Sequence, residues 1–210
     1  MQNKEISQAV ISRLPRYLRY LAELRDEGIE RISSQELSAR MQVTASQIRQ
    51  DLSCFGEFGQ QGYGYNIADL RREIADILGM NHHYSAILLG SGNLGRALLR
   101  NFRFAKTGFT LTAAFDADPA LIGTSISGFN VRSIETLDEY LKTHSTSVGI
   151  LTVPKSEAQN MTNHLIAGGV KGIWNFTNVE IDVGDSGVTV ESVHFSDSLL
   201  ALSYLISEKA

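Results

Sequence analysis

Gly90-Ser91-Gly92-Asn93-Leu94-Gly95 directly follows the apolar run 85–89 and opens a helical pattern. In such a turn the first glycine permits the sharp bend and the second lets a pyrophosphate approach the backbone. The third lets helix and strand pack closely. The helix N-terminus adds amide donors and a partial positive charge. A bare Gly-x-Gly-x-x-Gly is also a common glycine turn. Here, however, a second apolar run ends at Asp116, 21 residues past Gly95, where a carboxylate would bind an adenosine ribose. With no arginine beside it, that carboxylate would repel a 2′-phosphate, which favours NAD(H) over NADP(H). Asp118 is a nearby substitute, or a turn residue before Pro119.

A second constellation lies at residues 44–52. Leu37, Ile48 and Leu52 form an inward stripe, leaving Ala45, Ser46, Gln47, Arg49 and Gln50 available to face outward. Arginine can bridge both acceptors of guanine, and glutamine can pair with adenine. The plain alternative is a solvated helix face. Proton-transfer chemistry is sparse by comparison. His82 and His83 fall in a linker, and His144 and His164 lie in or beside outer helical segments. Only His194, beside Phe195, is a candidate base, and no second catalytic group accompanies it. The expectation is no catalytic residue and no enzyme.

These residues need elements to hold them. Leu14, Tyr17, Leu18, Leu21 and Leu24 recur at helical spacing, with Ser12 as the expected cap before Pro15 and Gly28 as the stop. Ser33 with Glu36, and Thr44 with Gln47, have capping-box spacing and open two short helices to about Met41 and Leu52. The turn FGEFGQQGYGY follows, in which Phe58 is expected to pair with Tyr63 and Tyr65 as a two-stranded wing. Ile67, Leu70, Ile74 and Ile77 give another helix, and Gly79 to Tyr84 reads as a linker. From residue 85 the texture changes to continuous apolar runs at 85–90, 111–115, 148–153 and 173–176, alternating with helical patterns such as 156–167. That alternation implies right-handed crossovers and a parallel sheet. The last segment, 196–206, is apolar on most helical faces and must be buried. A second subunit or its own domain could cover it.

Composition sets the outer bounds. The chain has 210 residues, 43% hydrophobic and 20% charged, with net charge −4. Those values exclude a disordered tail protein. Residues 1–80 carry ten basic and eleven acidic groups, so neither half is a basic block, although nine of those ten bases are arginines. No run approaches the length of a membrane span and no signal peptide is present, which predicts a cytoplasmic protein without membrane contact. One cysteine, Cys54, can make neither an internal disulfide nor a cysteine metal cage, and no metal site is expected.

Ser12-Arg13-Leu14, Tyr17-Leu18-Arg19, the block VTASQIRQDLSCFGEFGQQGYGY from 43 to 65, and the segments 90–95, 114–119, 151–154 and 172–176 occur in an order that resembles, essentially end to end, the redox-sensing transcriptional repressor family Rex. The resemblance implies an α/β chain: an N-terminal winged helix (1–80), a Rossmann dinucleotide-binding domain (81–195) and a C-terminal helix (196–210) exchanged between the subunits of a homodimer. It implies binding to two-fold symmetric double-stranded operator DNA when NADH is scarce, and release as NADH rises relative to NAD⁺. Gly90, Ser91, Gly92, Asn93, Leu94, Gly95 and Asp116 would hold the adenosine diphosphate part. Thr152, Val153 and Pro154 would line the site, Asn175 and Phe176 would lie near the nicotinamide, and Phe195, next to His194, would reach it from the partner subunit. Arg49, Gln47 and Gln50 would read DNA with Ala45 and Ser46 beside them. The chain departs from the family pattern at Gln60 and Gln61 in the wing and at Gln50, where the family usually carries basic residues. Less phosphate-neutralising charge implies weaker or altered DNA binding. It also has His194 where the family commonly has Asp, and Asn101 near a usual Tyr, so an ion pair with Arg19 cannot form in the same way. Asp197, one turn on, is a substitute. Two other classes remain open at this point: an NAD-dependent dehydrogenase with an unrelated helical cap, and a Rossmann half that takes CoA.

Overall fold

In the computed structural model, which describes residues 6–56, 58 and 63–208, the chain divides into two units between His82 and His83. The first contains α1 (Gln8–Ile11), α2 (Leu14–Asp26), β1 (Arg31–Ile32), α3 (Ser34–Met41), α4 (Ala45–Ser53), β2 (Tyr65–Asn66) and α5 (Ile67–Ile77). Its core is the helical stripe read from sequence: Leu14, Tyr17, Leu21 and Leu24 of α2 pack with Leu37, Ile48, Leu52, Leu70 and Ile74. The Ser33–Glu36 capping box is complete, each side chain accepting from the other's backbone N–H. Two local expectations change. Ser12 does not cap α2; its hydroxyl donates to the Ala9 carbonyl, and Arg13 occupies the cap position without a side-chain cap bond. Thr44 does accept the Gln47 N–H, but the Gln47 side chain turns away to Asp51.

The wing is also paired differently. Phe58 lies in no strand; β2 pairs antiparallel with β1, Ile32 opposite Tyr65 and Arg31 opposite Asn66. Gly64 explains this register. It sits at φ 68°, and a Cβ there would stand 2.6 Å from the Ile32 carbonyl oxygen, so only glycine lets the returning chain lie against β1. Gln60 and Gln61 lie outside the described residues.

The second unit is a seven-stranded sheet with helices between its strands. Its elements are β3 (Tyr84–Leu89), α6 (Asn93–Asn101), β4 (Phe109–Asp116), β5 (Ser125–Ile126), β6 (Phe129–Ser133), α7 (Leu137–Thr143), β7 (Val148–Leu151), α8 (Ala158–Ala167), β8 (Gly172–Asn175), β9 (Thr189–Ser192) and α9 (Phe195–Ser207). The order is β5-β6-β4-β3-β7-β8-β9, parallel throughout except for the β5–β6 hairpin. The strands read from sequence are the central four. The three outer strands escaped notice because they are only half buried and so lack a continuous apolar run. The chain reverses its winding direction between β3 and β7, and the carboxyl ends of those two strands form the crevice where α/β sheets bind ligands.

Candidate functional site

At that crevice the three glycines of the turn have three different surroundings. Gly90 has φ 95°, and a Cβ on it would stand 2.6 Å from the carbonyl oxygen of Thr152, on the loop after β7. A Cβ on Gly95 would stand 1.9 Å from the Gly90 carbonyl oxygen, so glycine there lets α6 lie against the end of β3. Gly92, the N-cap of α6, is unlike both: its φ is −65°, and a Cβ on it would meet nothing within 4 Å. Neither strain nor packing among the described residues requires glycine at 92. The open space is what a diphosphate needs to reach the backbone amides of α6, which no side chain caps. In the first turn of α6, the buried Arg96 Nε has no hydrogen-bond partner among the described residues. This donor set fits an anionic dinucleotide.

The loop is fastened from below. Gly90 N–H donates to the Phe115 carbonyl, and the Thr152 hydroxyl donates to the Gly90 carbonyl at 2.6 Å. Ser91 is fully buried and its N–H donates to Asp116; the other Asp116 oxygen accepts from Asp118 N–H. Asp118 itself accepts from Ala120 N–H, the work of a turn residue. Asn93 is exposed at the start of α6, Leu94 and Val153 are half-buried, and Pro154 is exposed.

Farther along the same strand ends, Asn175 is buried and fully engaged. Its amide donates to the Val179 carbonyl and the Ser192 hydroxyl, and its oxygen accepts from the Thr177 N–H and hydroxyl. An amide with two donors and two acceptor sites has none left for a ligand. Asn175 therefore positions its neighbours. Phe176 packs on Trp174 and faces Phe195, centroids 6.3 Å apart, while Phe195 is 61% exposed. His194 directs Nδ1 to Asn178 Oδ1 at 3.0 Å and Nε2 toward Glu180 at 3.6 Å. Of the other histidines, His144 stacks on Tyr140 and His164 pairs with Asp138 across α7 and α8. Asn101 ends α6, its amide on the Ala97 carbonyl. Among the described residues no three metal-ligating side chains come together.

In the first unit α4 presents Ser46, Arg49 and Gln50 outward, with Ala45 half-buried. Arg49 Nη1 donates to the Ser34 hydroxyl at 2.8 Å. Gln47 is the departure: it is half-buried, and its Nε2 donates to Asp51 Oδ1 at 2.7 Å, so it is not free on the outward face.

Comparisons with known proteins match this two-part architecture. Residues 5–53 match the family model "Putative DNA-binding protein N-terminus", and residues 81–179 match the model "CoA binding domain". Over 208 residues the chain is 49% identical to the redox-sensing transcriptional repressor Rex of Clostridium botulinum (strain Eklund 17B / Type B), with 99% of both chains covered. The Rex of the Hall strain is 49% identical over 207 residues, 99% of this chain and 98% of that one. The chain belongs to the Rex family. Three crystal structures of a protein named RSP, described in one case as a Rex-family repressor, superpose closely. The RSP complex with β-NAD⁺ and operator DNA has TM-score 0.90 at 47% identity, covering 97% of this chain and 94% of that one. The RSP complex with β-NADH has TM-score 0.90 at 44% identity, covering 98% and 96%.

One part of this Rex chain was missed in the sequence. Asp51, with no exposed surface, accepts from Arg13 through both of its oxygens, at 2.7 Å each, from the Tyr17 hydroxyl at 2.8 Å, and from Gln47. Burial pushes its carboxyl up, but the bonds from Arg13, Gln47 and Tyr17 outweigh that and hold it below the usual carboxylate range. Burial and the same carboxylate push the Tyr17 phenol upward. The signal was present: Asp51 falls three residues after Ile48 on the inward stripe, where a charge demands partners.

Proposed function

We propose that this Rex chain is an NADH-responsive transcriptional repressor, which binds two-fold symmetric operator DNA as a homodimer and releases it as NADH rises relative to NAD⁺. The observation that carries the reading is the full-length match, both units in order, to a protein solved with operator DNA and with NADH. The open space at Gly92 and the outward face of α4 supply the two ligand sites such a protein needs.

In this reading residues 90–95 receive the diphosphate, and Asp116 the adenosine ribose. Thr152, Val153 and Pro154 line the crevice, Phe176 flanks the nicotinamide, and Phe195 of the partner subunit reaches it; His194 borders it. NAD⁺ and NADH differ by one charge on that ring, and an apolar wall of two phenylalanines disfavours the cation. The C-terminal segment from residue 196 carries the dimerisation helix, α9. No side chain of α9 is buried within the chain, and Leu199, Leu200, Leu202, Leu205 and Ile206 are each at least half exposed. Packing on its own domain therefore does not cover this helix, and a second copy does. Coupling between the sites is limited to the difference in NADH affinity between the DNA-competent and incompetent states. The protein acts in the cytoplasm and catalyses no reaction. The two ring nitrogens of His194 already face Asn178 and Glu180.

The test is binding of the full chain to a two-fold symmetric operator duplex, with and without NADH, beside titrations with NAD⁺, NADPH and CoA. DNA release by NADH alone is the expected result. Tightest binding of CoA, the ligand that the matched model's description names, would replace the redox reading.

A further inference from the structure

We infer that Asp51 is a specificity-determining residue that withholds Gln47 from DNA, leaving Ser46, Arg49 and Gln50 as the base-facing side chains of α4. This rests on the DNA-binding reading above. Gln47 reads adenine only if its amide offers donor and acceptor together as a fork. One of the two Nε2 N–H groups is instead bound to Asp51 Oδ1 at 2.7 Å, next to the Arg13 Nη2 that shares the same oxygen, and this bond ties the amide to the inward side of α4. Bonds to an ionised acceptor are roughly twice as strong as neutral ones. With Gln47 in place the acceptor has no exposed surface, so releasing Gln47 uncovers a buried carboxylate.

Arg49 is held by a weaker tether. One guanidinium nitrogen donates to the neutral Ser34 hydroxyl at 2.8 Å, in an exposed setting, and the side chain keeps further donors. Releasing Arg49 costs one exposed bond to a neutral acceptor, whereas releasing Gln47 breaks a part-buried bond to a charged one. Asp51 acts as a positioning residue: it touches no base, but it determines which side chains of the helix can.

The experiment selects duplexes from a double-stranded DNA library with a randomised two-fold symmetric site, using full-length protein without NADH. It compares wild type, Gln47→Ala, Asp51→Asn and the double variant. Gln47→Ala should select the wild-type base profile and bind the selected duplex within about three-fold of wild type. Asp51→Asn, which weakens the hold on Gln47, should gain a new preference at one base pair of about five-fold or more. That preference should vanish in the double variant; a merely structural role for Asp51 would not produce it. A changed profile for Gln47→Ala would overturn the inference, and this variant decides the matter even if Asp51→Asn fails to fold. An unchanged profile for a folded Asp51→Asn would overturn it too. Failure of wild type to select any sequence would instead overturn the DNA-binding reading on which it depends.

Discussion

The glycines at 92 and 95 separate folding from ligand binding, and substituting each in turn tests that division. In Gly95→Ala the new methyl would stand 1.9 Å from a backbone oxygen and 2.9 Å from the Thr152 hydroxyl. Contact between such atoms becomes ordinary only beyond about 3.4 Å, so α6 must retreat from β3 by more than 1 Å. Overpacking of this kind costs about 1–3 kcal/mol and sometimes more. With backbone as the obstacle, the upper end, about 3 kcal/mol, is expected. For a domain of this size that lowers Tm by about 6–12 °C. Gly92→Val adds a larger side chain at a position with ordinary φ and nothing within 4 Å. Its ligand-free stability should stay within about 1 kcal/mol of wild type. NADH at 100 times Kd should stabilise wild type by about 2.7 kcal/mol and Gly92→Val not at all. Thermal unfolding of the three full-length proteins, with and without NADH, reads both effects. A Gly92→Val protein that unfolds as early as Gly95→Ala would show that glycine at 92 serves packing. One that gains the wild-type NADH shift would place the diphosphate elsewhere.

Four further outcomes are expected. Because hydrogen bonds hold the Asp51 carboxyl below its ordinary range, its contribution is complete above about pH 4 and is lost as pH falls through its lowered folded value; Asp51→Ala should remove this acid limb and cost about 3 kcal/mol at pH 7, measured by urea unfolding at pH 3 and 7. Arg49→Ala should weaken operator binding by about 1–3 kcal/mol if Arg49 bridges a guanine, and an equal loss on every sequence would instead make it a phosphate contact. Removing residues 197–210 should yield monomer or aggregate in sedimentation, and a well-behaved dimer would exclude α9 as the interface. His194→Asp, placing a carboxylate beside Glu180 and Phe195, should strengthen NAD⁺ binding relative to NADH in paired titrations, and an unchanged ratio would show that residue 194 does not sense the ring.

Sequence alone determined the features governed by local periodicity. The α2 stripe, the Ser33–Glu36 box and the Gly90–Gly95 turn are short-range patterns, and each stands in the structure where its spacing put it. The buried central strands were legible because residues covered on both faces must be apolar in succession. Tertiary structure decided what depends on distant partners. Wing strand β2 pairs with β1, more than thirty residues earlier, and no local signal names that partner. The polar side chains followed the same rule. Gln47 and Arg49 read alike as outward-facing residues, yet Asp51, with Arg13 and Tyr17 brought to it from α2 and its approach, draws Gln47 in and leaves Arg49 exposed. Asn175 likewise looked like a ligand group until β9 and the 177–179 turn consumed its amide. A polar side chain's type states what it can bond. Which bond it makes depends on what folding places within about 3 Å, and that is a property of the whole chain.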